Sequence, residues 1–312
     1  MSLLVSVIIP THNSRREFIL RVLISLKAQS LMANHWETVL VDNFSTPPVD
    51  LGEFSESAPD NCRVVREPLL GLTNARQRGF REAFAPICIL VDDDNVLAPD
   101  YLETVVRLFD AHPRIGALGG KVLPEFELEP QGWMQEFYPL LALRDLGDAA
   151  CISSGLRPPD TAQNQYPVAC APIGAGMAIR REAALQWLED VSAAVLPDRR
   201  GKELTSAGDN DIVFTLLRHG WEVAYFPELR LTHLIPVSRM TPDYFARLNY
   251  GIQKSWMQVL TKHEANPWPQ IAAWTVPLRK LKAWLKHRGW KKPIGHIRWC
   301  GACGHFEGRA AD

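Results

Sequence analysis

The chain has 312 residues, enough to bury the core of one large α/β domain with an appendage, or of two small domains. With 46% hydrophobic and 22% charged residues, its composition excludes an intrinsically disordered protein. The formal net charge is -1, but between Ala265 and Phe306 there are eight Lys or Arg and no Asp or Glu. The residues before this basic segment, which is the basic tail of the chain, therefore carry a net negative charge and argue against a nucleic-acid partner. The basic tail itself suggests an anionic partner for that segment.

No segment has the features of a targeting or membrane-spanning sequence. The apolar stretch Leu3–Pro10 is short and lacks a basic leader, so it does not predict a signal peptide. No run reaches the roughly 18–20 apolar residues of a transmembrane helix. Because the six cysteines are mostly scattered, we expect reduced thiols and a cytoplasmic enzyme. Cys300 and Cys303, with His305, supply too few ligands for a closed zinc site, so a terminal turn is favoured over a metal or redox site.

The first 120 residues alternate between strand and helix patterns. Short apolar, β-branched runs predict buried strands, and apolar residues at helical spacing predict the helices between them. The predicted strands are Leu4–Ile9, Thr38–Val41, Arg63–Val65 and Pro86–Val91, and the predicted helices are Ser14–Gln29, Thr73–Ala85 and Pro99–Ala111. We expect Ser14 to be the N-cap of the first helix. Such alternation predicts a mainly parallel sheet with covered faces.

The second half of the chain has a less regular pattern. Glu125–Arg144 and Gly155–Tyr166 are predicted to be long loops, which in a compact domain are usually functional or mobile. A glycine-opened strand, two helices and two strands are predicted next, over Gly174–Ile179, Arg181–Leu188, Asp209–His219, Trp221–Phe226 and Leu229–His233. Beyond Thr241 the pattern is helical.

Polar side chains follow three of the predicted strands where each strand ends. The three clusters are Thr11–Asn13, Asp42–Asn43 and Asp92–Asn95. Ligands of open α/β sheets bind beyond the carboxyl ends of the strands. We therefore expect the three clusters to form one ligand site at one edge of the sheet.

Three adjacent carboxylates, Asp92, Asp93 and Asp94, form the most acidic of these clusters. They repel one another unless a cation or basic groups offset their charge. If the chain is extended there, Asp92 and Asp94 share a face and Asp93 points away. A hard divalent cation would suit that pair and could bridge a diphosphate. The alternative is an acidic turn that caps the helix predicted to begin at Pro99.

Six segments together resemble glycosyltransferase family 2. In chain order they are the opening VSVIIPTHNS, VDNFSTPP at 41–48, GLTNARQRGF at 71–80, ILVDDDN at 89–95, GAGMAIRRE at 174–182 and GDNDIVFTLLRHGWEVAYFPELRLTH at 208–233. They follow the family's order and cover roughly residues 4–240. The resemblance implies a GT-A-type α/β catalytic domain over 1–240, with a mainly parallel sheet and helices on both faces. Residues 241–312 would form a helical, basic, Trp-rich C-terminal appendage.

The resemblance also implies a role for each matching residue. The residues implied to bind the nucleotide sugar are Thr11, Asn13, Asp42, Arg76, Asp92, Asp93, Gly174 and Gly176. Asp94 and His233 are the implied ligands of a Mg²⁺ or Mn²⁺ ion. Asp209 is the implied catalytic base, but the family usually has Glu-Asp where this chain has Gly208-Asp209, so Asp211 is an alternative base.

Each of these residues also has a purely structural interpretation. Asp42 would cap the turn that follows it, and the Thr11 hydroxyl would bond the local backbone. His233 lies in apolar company, where a histidine is usually a hydrogen-bonded core residue. Asp209 and Asp211 would stabilise the positive end of the predicted helix.

The implied activity is transfer of a sugar from a nucleoside-diphosphate sugar, by family default UDP-linked, to a saccharide or lipid-linked acceptor hydroxyl. The metal would stabilise the departing diphosphate, and the family resemblance implies inversion at the anomeric carbon. Alternatives are a non-catalytic nucleotide-sugar-binding protein and a metal-dependent phosphatase of the haloacid-dehalogenase type. The phosphatase motif needs a Gly-Thr continuation, which Asp92–Asn95 lacks.

The basic tail contains an amphipathic helical pattern over Pro277–Arg288. The apolar residues on one face of that helix are Leu278, Leu281, Trp284 and Leu285. Basic residues flank this face, which suits a helix lying on an anionic membrane. We expect peripheral contact with the inner face of the cell membrane through residues 271–299. The alternative is that this helix packs on the acidic catalytic domain.

Overall fold

The structure is a computed structural model that describes residues 2–155, 169–191, 204–206 and 208–311. The α-helices of these residues are α1 (Arg16–Lys27), α2 (Leu72–Glu82), α3 (Tyr101–Ala111), α4 (Arg181–Val191), α5 (Gly208–Arg218), α6 (Pro242–Lys262), α7 (Val276–His287) and α8 (Ile294–Arg309). The strands are β1 (Val5–Thr11), β2 (Trp36–Asp42), β3 (Cys62–Arg66), β4 (Ile87–Leu90), β5 (Asn95–Leu97), β6 (Ile115–Phe126), β7 (Cys151–Ser153), β8 (Ala178–Arg180), β9 (Glu222–Ile235), β10 (Ile271–Ala272) and β11 (Ala310–Ala311). The loop predicted over Gly155–Tyr166 lies outside the described residues from position 156 onwards.

The main sheet is half parallel and half mixed. Its strand order is β3-β2-β1-β4-β8-β6-β9-β5, and β7 pairs with β9. Strands β3, β2, β1 and β4 pair in parallel, as the strand–helix alternation predicts. Strand β8 is antiparallel to both β4 and β6, whereas β6 and β9 are parallel. The predicted α/β fold class is confirmed, and the antiparallel strands are an addition that the sequence pattern did not indicate.

Helices cover both faces of this sheet. Along β1, Val5, Val7 and Ile9 belong to one buried core and Ile8 to the other, because successive side chains of a strand point to opposite faces. The apolar residues of α1 and α3 fill the first core, and those of α2, α4 and α5 fill the second. This arrangement leaves the carboxyl ends of β1, β2 and β4 uncovered for a ligand.

Three local predictions differ from the structure. Helix α1 begins at Arg16, and no side chain caps it, so the prediction of Ser14 as N-cap is wrong. The segment Glu125–Arg144, predicted to be a loop, includes the end of β6 and a 3₁₀ helix over Gly132–Leu141. The two strands predicted between positions 221 and 233 are one continuous strand, β9.

The β6–β9 pairing explains why β6 was not predicted. The register of the pair shifts between Gly119 and Lys121, which marks a bulge. A Cβ atom on Gly120 would lie 2.0 Å from the Leu229 carbonyl oxygen, so only glycine allows this approach. Glycines of this kind break the alternating pattern that a strand prediction depends on.

The helices after residue 241 pack on the sheet domain and on one another. Phe245 and Leu248 of α6 and Ile297 of α8 form one apolar cluster with residues of the 3₁₀ helix Gly132–Leu141. Helix α8 approaches α6 so closely that a Cβ on Gly304 would lie 2.1 Å from the Tyr250 carbonyl oxygen.

The paired cysteines belong to this packing. Cys300 and Cys303 lie one turn apart within α8, and Cys303 is buried. The predicted terminal turn is therefore a helix. The described part of the chain contains no group of three or more His, Cys, Asp or Glu side chains arranged to hold a metal ion. Among the same residues, no helix combines the length and apolar character needed to span a bilayer.

Candidate active site

A cavity of about 300 Å³ opens at the carboxyl ends of β1 and β4. Its polar lining residues are Thr11, His12, Asn43, Arg76, Asp92, Asp93, Asp94, Ser206, Asp209, His233 and Arg239. Leu140, Leu141 and Tyr244 contribute apolar lining from the 3₁₀ helix and from α6. Residues from opposite ends of the sequence therefore meet in one cleft of the size that suits a small-molecule ligand.

The three adjacent aspartates all line the cavity, but the chain that carries them is not extended. The Asn95 N–H donates to the Asp92 carbonyl at 3.0 Å, which closes a turn immediately after β4. The turn brings Asp93 to Thr11, whose hydroxyl donates to Asp93 Oδ2 at 2.7 Å. The expectation that Asp93 points away is therefore wrong, because the turn replaces the period-two alternation of a strand.

Asp93 is half-buried and lies between two other negatively charged side chains. Burial, followed by the charge of Asp94, raises the pKa of Asp93 to about 7. The hydrogen bond from Thr11 opposes this shift, because it stabilises the charged carboxylate. The cluster thus needs positive charge nearby in order to hold three ionised acids at neutral pH.

Arg239 supplies positive charge at the last of these aspartates. Its Nη1 atom lies 2.7 Å from Asp94 Oδ2, and the Asp94 side chain is only 5% exposed. His233 Nε2 lies 3.4 Å from the same carboxylate oxygen and 3.4 Å from Arg239 Nη1. The buried Asp94 and His233 therefore form one polar cluster with the half-buried Arg239 on the cavity wall.

The donor atoms of Asp94 and His233 suit a divalent cation. A carboxylate oxygen and an imidazole nitrogen already face each other, and His233 Nδ1 is buried without a hydrogen-bond partner among the described residues. Mg²⁺ commonly takes one or two protein carboxylates and completes its shell with substrate phosphates and water. Two protein donors are therefore enough for a cation that also binds a diphosphate.

Arg76 extends from α2 into the same cavity and is 4% exposed. Its guanidinium lies against Gly174, where a Cβ atom would be 2.4 Å from Arg76 Nη2. Gly174 thus makes room for Arg76 at the cavity wall, and its contact with the nucleotide sugar stays a prediction. A buried guanidinium that lines the same cavity as three carboxylates is a suitable partner for phosphate oxygens.

Gly176 has a structural role and does not line the cavity. Its φ angle is +74°, a left-handed conformation that glycine adopts at no steric cost. A Cβ atom there would lie 2.4 Å from Leu231 Cδ2 and 2.6 Å from the Tyr101 hydroxyl oxygen. The Gly176 carbonyl accepts a hydrogen bond from that hydroxyl at 2.6 Å. The predicted sugar contact of Gly176 is therefore not supported by its position.

Asp42 and Asn13 stabilise the turns that follow β2 and β1. Asp42 is 1% exposed and accepts hydrogen bonds from the N–H groups of Ser45 and Val49, so it caps the loop after β2. The exposed Asn13 accepts from the Thr46 N–H, which fixes the turn after β1. Neither residue lines the cavity. Both side chains are therefore engaged in forming turns, which for Asp42 is the structural interpretation given above, and their contacts with the nucleotide stay predictions.

Asn43 reaches the cavity instead, although the sequence indicated it only as part of a cluster. Its side-chain amide donates to the Leu69 carbonyl at 2.7 Å, and its Oδ1 accepts from the Gly71 N–H at 2.8 Å. These bonds fix the segment that leads into α2, from which Arg76 extends. Sequence analysis missed the supporting function because these partners are more than twenty positions away.

Asp209 lines the cavity at the first turn of α5. Its Oδ2 accepts from the Gly174 N–H at 3.1 Å, and its Oδ1 accepts from the Asn210 N–H at 2.9 Å. The carboxylate is thus held in place while it faces the cavity. It is positioned to take a proton from an acceptor that binds there.

Asp211 lies on the opposite side of α5, outside the cavity. It is 2% exposed and accepts hydrogen bonds from Trp187 Nε1 at 2.9 Å and from His263 Nε2 at 2.7 Å. Lys262 Nζ lies 2.8 Å from Asp211 Oδ1. Every strong acceptor position of Asp211 is thus engaged by α4 or α6, so its predicted role as alternative base is contradicted by its position.

Arg239 is the main site residue that sequence analysis missed. It lies on a short 3₁₀ turn, Val237–Arg239, between β9 and α6. No periodic pattern or motif marks this turn. Only the return of β9 to the edge of the sheet brings Arg239 to Asp94, 145 positions earlier in the chain.

The chain is similar to known proteins both in sequence and in fold. The model of the family described as Glycosyl transferase family 2 matches residues 6–187. A solved structure of S. aureus TarS residues 1–349 has a TM-score of 0.50 at 15% identity, covering 98% of this chain and 90% of that one. GalNAc-T7, crystallised with UDP, GalNAc and Mn²⁺, has a TM-score of 0.56 at 16% identity, covering 98% of this chain and 55% of that one. These similarities establish the GT-A fold.

Two curated proteins match over shorter segments. Uncharacterized protein y4gI of Sinorhizobium fredii is 32% identical over 113 residues, which are 35% of this chain and 12% of that protein. Glucosyl-dolichyl phosphate glucuronosyltransferase of Haloferax volcanii is 30% identical over 78 residues, which are 25% of each chain. The matches thus span a small part of the length of these relatives.

Proposed function

This chain belongs to glycosyltransferase family 2, and we propose that it transfers a sugar from a nucleoside-diphosphate sugar to an acceptor hydroxyl with inversion. The supporting observation is the single cavity that collects Asp92, Asp93 and Asp94 with Arg76 and Arg239. A diphosphate and a divalent cation together satisfy such a mixture of buried and half-buried acids and guanidinium groups. UDP is our first choice of nucleotide, as in the structurally similar GalNAc-T7.

We propose that the donor lies across the carboxyl ends of β1 and β4, within residues 1–240 as the catalytic domain. Thr11 and Asp92 would contact the nucleoside, and Arg76 the diphosphate. Asp94 and His233 would hold Mg²⁺ or Mn²⁺, which supplies charge neutralisation for the departing diphosphate. Asp93, which is bonded to Thr11, would keep the acidic turn in shape beneath the donor.

Asp209 is the proposed catalytic base. Direct displacement requires a base that takes the proton of the acceptor hydroxyl as the oxygen attacks the anomeric carbon. Asp209 faces the cavity, and its fixed carboxylate offers an oxygen to that proton. A base held by the Gly174 N–H needs little rearrangement when the acceptor binds.

The donor can be identified by thermal shift. We expect a UDP-sugar to raise the melting temperature of the protein when Mn²⁺ is present, because a ligand that binds only the folded state stabilises it by mass action. At one hundred times the dissociation constant the gain is about 2.7 kcal/mol, which is several degrees. The measurement is a screen of nucleotide sugars with Mn²⁺ and with EDTA.

Two outcomes of that screen and a following turnover assay separate the candidate functions. If no nucleotide sugar raises the melting temperature, the proposed donor site is wrong. If a donor binds but no acceptor from a broad panel yields free nucleoside diphosphate, the protein is a non-catalytic nucleotide-sugar-binding protein. Release of inorganic phosphate from simple phosphomonoesters would instead favour the phosphatase alternative.

We also propose a saccharide or lipid-linked acceptor, reached at an anionic membrane surface through residues 271–299. The name of the Haloferax volcanii relative includes a lipid-linked phosphosugar, which supports a lipid-linked acceptor. The further support is the surface of α7. Its large exposed side chains, with those of its two flanks, are Trp274 (82% exposed), Leu278 (70%), Leu281 (55%), Leu285 (57%) and Trp290 (52%).

The exposed leucines of α7 lie opposite the side by which the helix is packed. Val276 and Ala283 are the buried residues of α7. At about 100° per residue, Leu278, Leu281 and Leu285 fall on the other side of the helix. This orientation supports a membrane contact of the leucine face over its packing on the catalytic domain.

Charge around this face favours an anionic surface. Of the eight Lys and Arg between positions 265 and 306, Lys280 and Arg298 alone form ion pairs within the part of the chain that the structure describes. The remaining basic residues around α7 face solvent next to the leucines and tryptophans. Apolar side chains that insert between lipids and cations that meet anionic headgroups together bind a membrane surface.

Vesicle flotation tests the membrane contact. We expect the protein to float with vesicles that contain an anionic lipid at low salt, and less at high salt, because screening weakens headgroup attraction. Changing Leu278, Leu281 and Leu285 together to serine should weaken this binding by more than about tenfold, since each inserted leucine contributes about 1.5–3 kcal/mol.

The control is a protein with serine in place of Met32 and Leu128, which are also exposed but lie far from α7 in the sequence. It should float like the parent protein. Absence of flotation with anionic vesicles at low salt would refute the proposal, and equal loss in both variants would show that the effect is not specific to α7.

A further inference from the structure

Arg239 forms an ion pair with Asp94, the carboxylate that the proposed cation would bind. Its Nη1 atom contacts Asp94 Oδ2 at 2.7 Å and lies 3.4 Å from His233 Nε2. The guanidinium thus lies against both proposed metal ligands. A guanidinium and a divalent cation cannot share this position, because their charges repel at such short distance.

The backbone around Arg239 is fixed, so only its side chain can move away. The Val237 N–H donates to Glu127 Oε2 at 2.7 Å, and the Arg239 N–H donates to the Pro236 carbonyl at 2.9 Å. Thr241 then caps α6 by accepting from the Tyr244 N–H. Rotation about the side-chain bonds of Arg239 would free Asp94 without disturbing these backbone hydrogen bonds.

A diphosphate in the cavity would offer the displaced guanidinium a new partner. Arg239 lines the same cavity as Arg76 and the three aspartates, and its side chain keeps 28% exposure. Arginine binds phosphate oxygens bidentately, in bonds stronger than neutral hydrogen bonds. The exchange keeps every charge paired, because the cation neutralises Asp94 while the guanidinium neutralises phosphate.

We propose that Arg239 is a place-holding cation, which neutralises Asp94 in the donor-free enzyme and turns to the diphosphate when the divalent cation arrives. This inference rests on the proposed function, since it assumes a metal-bound nucleoside diphosphate. It makes Arg239 a positioning residue for the metal site and a binding residue for the donor. Metal and donor then bind together, and either one alone binds weakly.

The proposal predicts that removal of the Arg239 side chain changes the affinities for Mn²⁺ and for UDP in opposite directions. Without Arg239, Mn²⁺ alone no longer competes with a guanidinium, so its affinity for the donor-free protein should rise. With Mn²⁺ saturating, UDP loses a charge-assisted partner, so its affinity should fall. A residue that only maintained the structure of the turn would lower both affinities when it was removed.

The test compares the parent protein, with all 312 residues, with Arg239→Ala, Arg239→Lys and Arg230→Ala. Mn²⁺ binding without nucleotide is followed by electron paramagnetic resonance of the free ion, and UDP binding at saturating Mn²⁺ by calorimetry. Arg239→Ala should bind Mn²⁺ alone about 5- to 150-fold more tightly, the usual range of coupling between sites. It should bind UDP about tenfold or more weakly, the effect of a lost hydrogen bond to a charged group.

The other two variants separate charge from geometry. Arg239→Lys should keep the weak Mn²⁺ binding of the parent, because it keeps the positive charge, but recover only part of the UDP affinity, because it lacks the planar fork. Arg230 is an exposed arginine of β9 that bonds the Pro227 carbonyl and does not line the cavity. Its removal should change neither affinity.

Failure of this proposal can be told apart from failure of the proposed function. If the parent binds UDP with Mn²⁺ but Arg239→Ala binds Mn²⁺ no more tightly, the place-holding role is refuted and the donor site stands. Equal UDP binding in Mn²⁺ and in EDTA would also refute it, since Arg239 would then replace the metal permanently. If the parent binds neither UDP nor any other nucleoside diphosphate under any condition, both proposals fall.

Discussion

Asp209→Asn should lower kcat by about 100- to 10,000-fold, the range expected when a general base is removed. The amide cannot take a proton from the acceptor hydroxyl, but it keeps nearly the same shape. Its carbonyl oxygen can still accept the hydrogen bond that Asp209 now receives from the Gly174 N–H. Binding of the donor should therefore change little, so the loss appears in kcat and not in donor affinity.

Release of nucleoside diphosphate measures the first quantity, and the thermal shift with the chosen UDP-sugar and Mn²⁺ measures the second. Asp211→Asn serves as the matched control, because it makes the same chemical change two positions along the same helix. Its folded fraction should retain turnover within about tenfold of the parent. If Asp209→Asn keeps more than a tenth of the parent kcat, Asp209 is not the base.

Asp211→Asn should instead lower the free energy of unfolding by about 3 kcal/mol. The change leaves the cation of Lys262 without its carboxylate partner, and removing one member of a buried ion pair typically costs about 3–5 kcal/mol. The lower end applies because the Lys262 side chain keeps 16% exposure. The bonds from Trp187 and His263 are weakened as well, so α4, α5 and α6 lose a shared anchor.

Urea denaturation measures this difference, with Asp209→Asn as the control that should lose less than about 1 kcal/mol, because Asn and Asp serve similarly at a helix start. Burial acts to raise the pKa of Asp211, but hydrogen bonds from His263 and Lys262 outweigh it and hold the pKa below its usual value. The stabilisation is therefore complete above the ordinary carboxyl pKa and is lost as pH falls through the depressed pKa. The parent protein and Asp211→Asn should therefore become similar in stability at strongly acid pH. Equal destabilisation by Asp211→Asn and Asp209→Asn at neutral pH would contradict this role of Asp211.

The acidic cluster shows which properties of a ligand site a sequence motif can predict. Three carboxylates after a buried apolar run predicted a ligand site at the end of a parallel strand, and Asp92–Asp94 do line a cavity there. The chain is not extended there, which was the condition for Asp93 to point away, because the Asn95 N–H closes a turn on Asp92. A motif identifies which residue types meet a ligand, while hydrogen bonds within the turn decide which oxygen points where.

The sheet gives a second example. The apolar runs at Val5–Thr11, Trp36–Asp42 and Ile87–Leu90 carry a clear strand pattern, and these strands form the parallel half as predicted. Strand β6 was missed, because its glycines serve a close backbone approach to β9 and leave no alternating pattern. Its position depends on a partner strand more than a hundred residues away, which local patterns do not record.

Asp209 and Asp211 separate most clearly what the sequence determined from what tertiary structure decided. The sequence alone determined the family, the parallel strands and the presence of two acids at the start of one helix. Two positions along a helix differ by about 200° in direction, so one acid must face away from the other. Packing of α5 against α4 and α6 turns Asp211 towards Lys262 and leaves Asp209 in the cavity, since burying the apolar face of α5 fixes the rotation of the whole helix. The pairing of Arg239 with Asp94 has the same origin, because it depends on contacts between elements and on no local pattern.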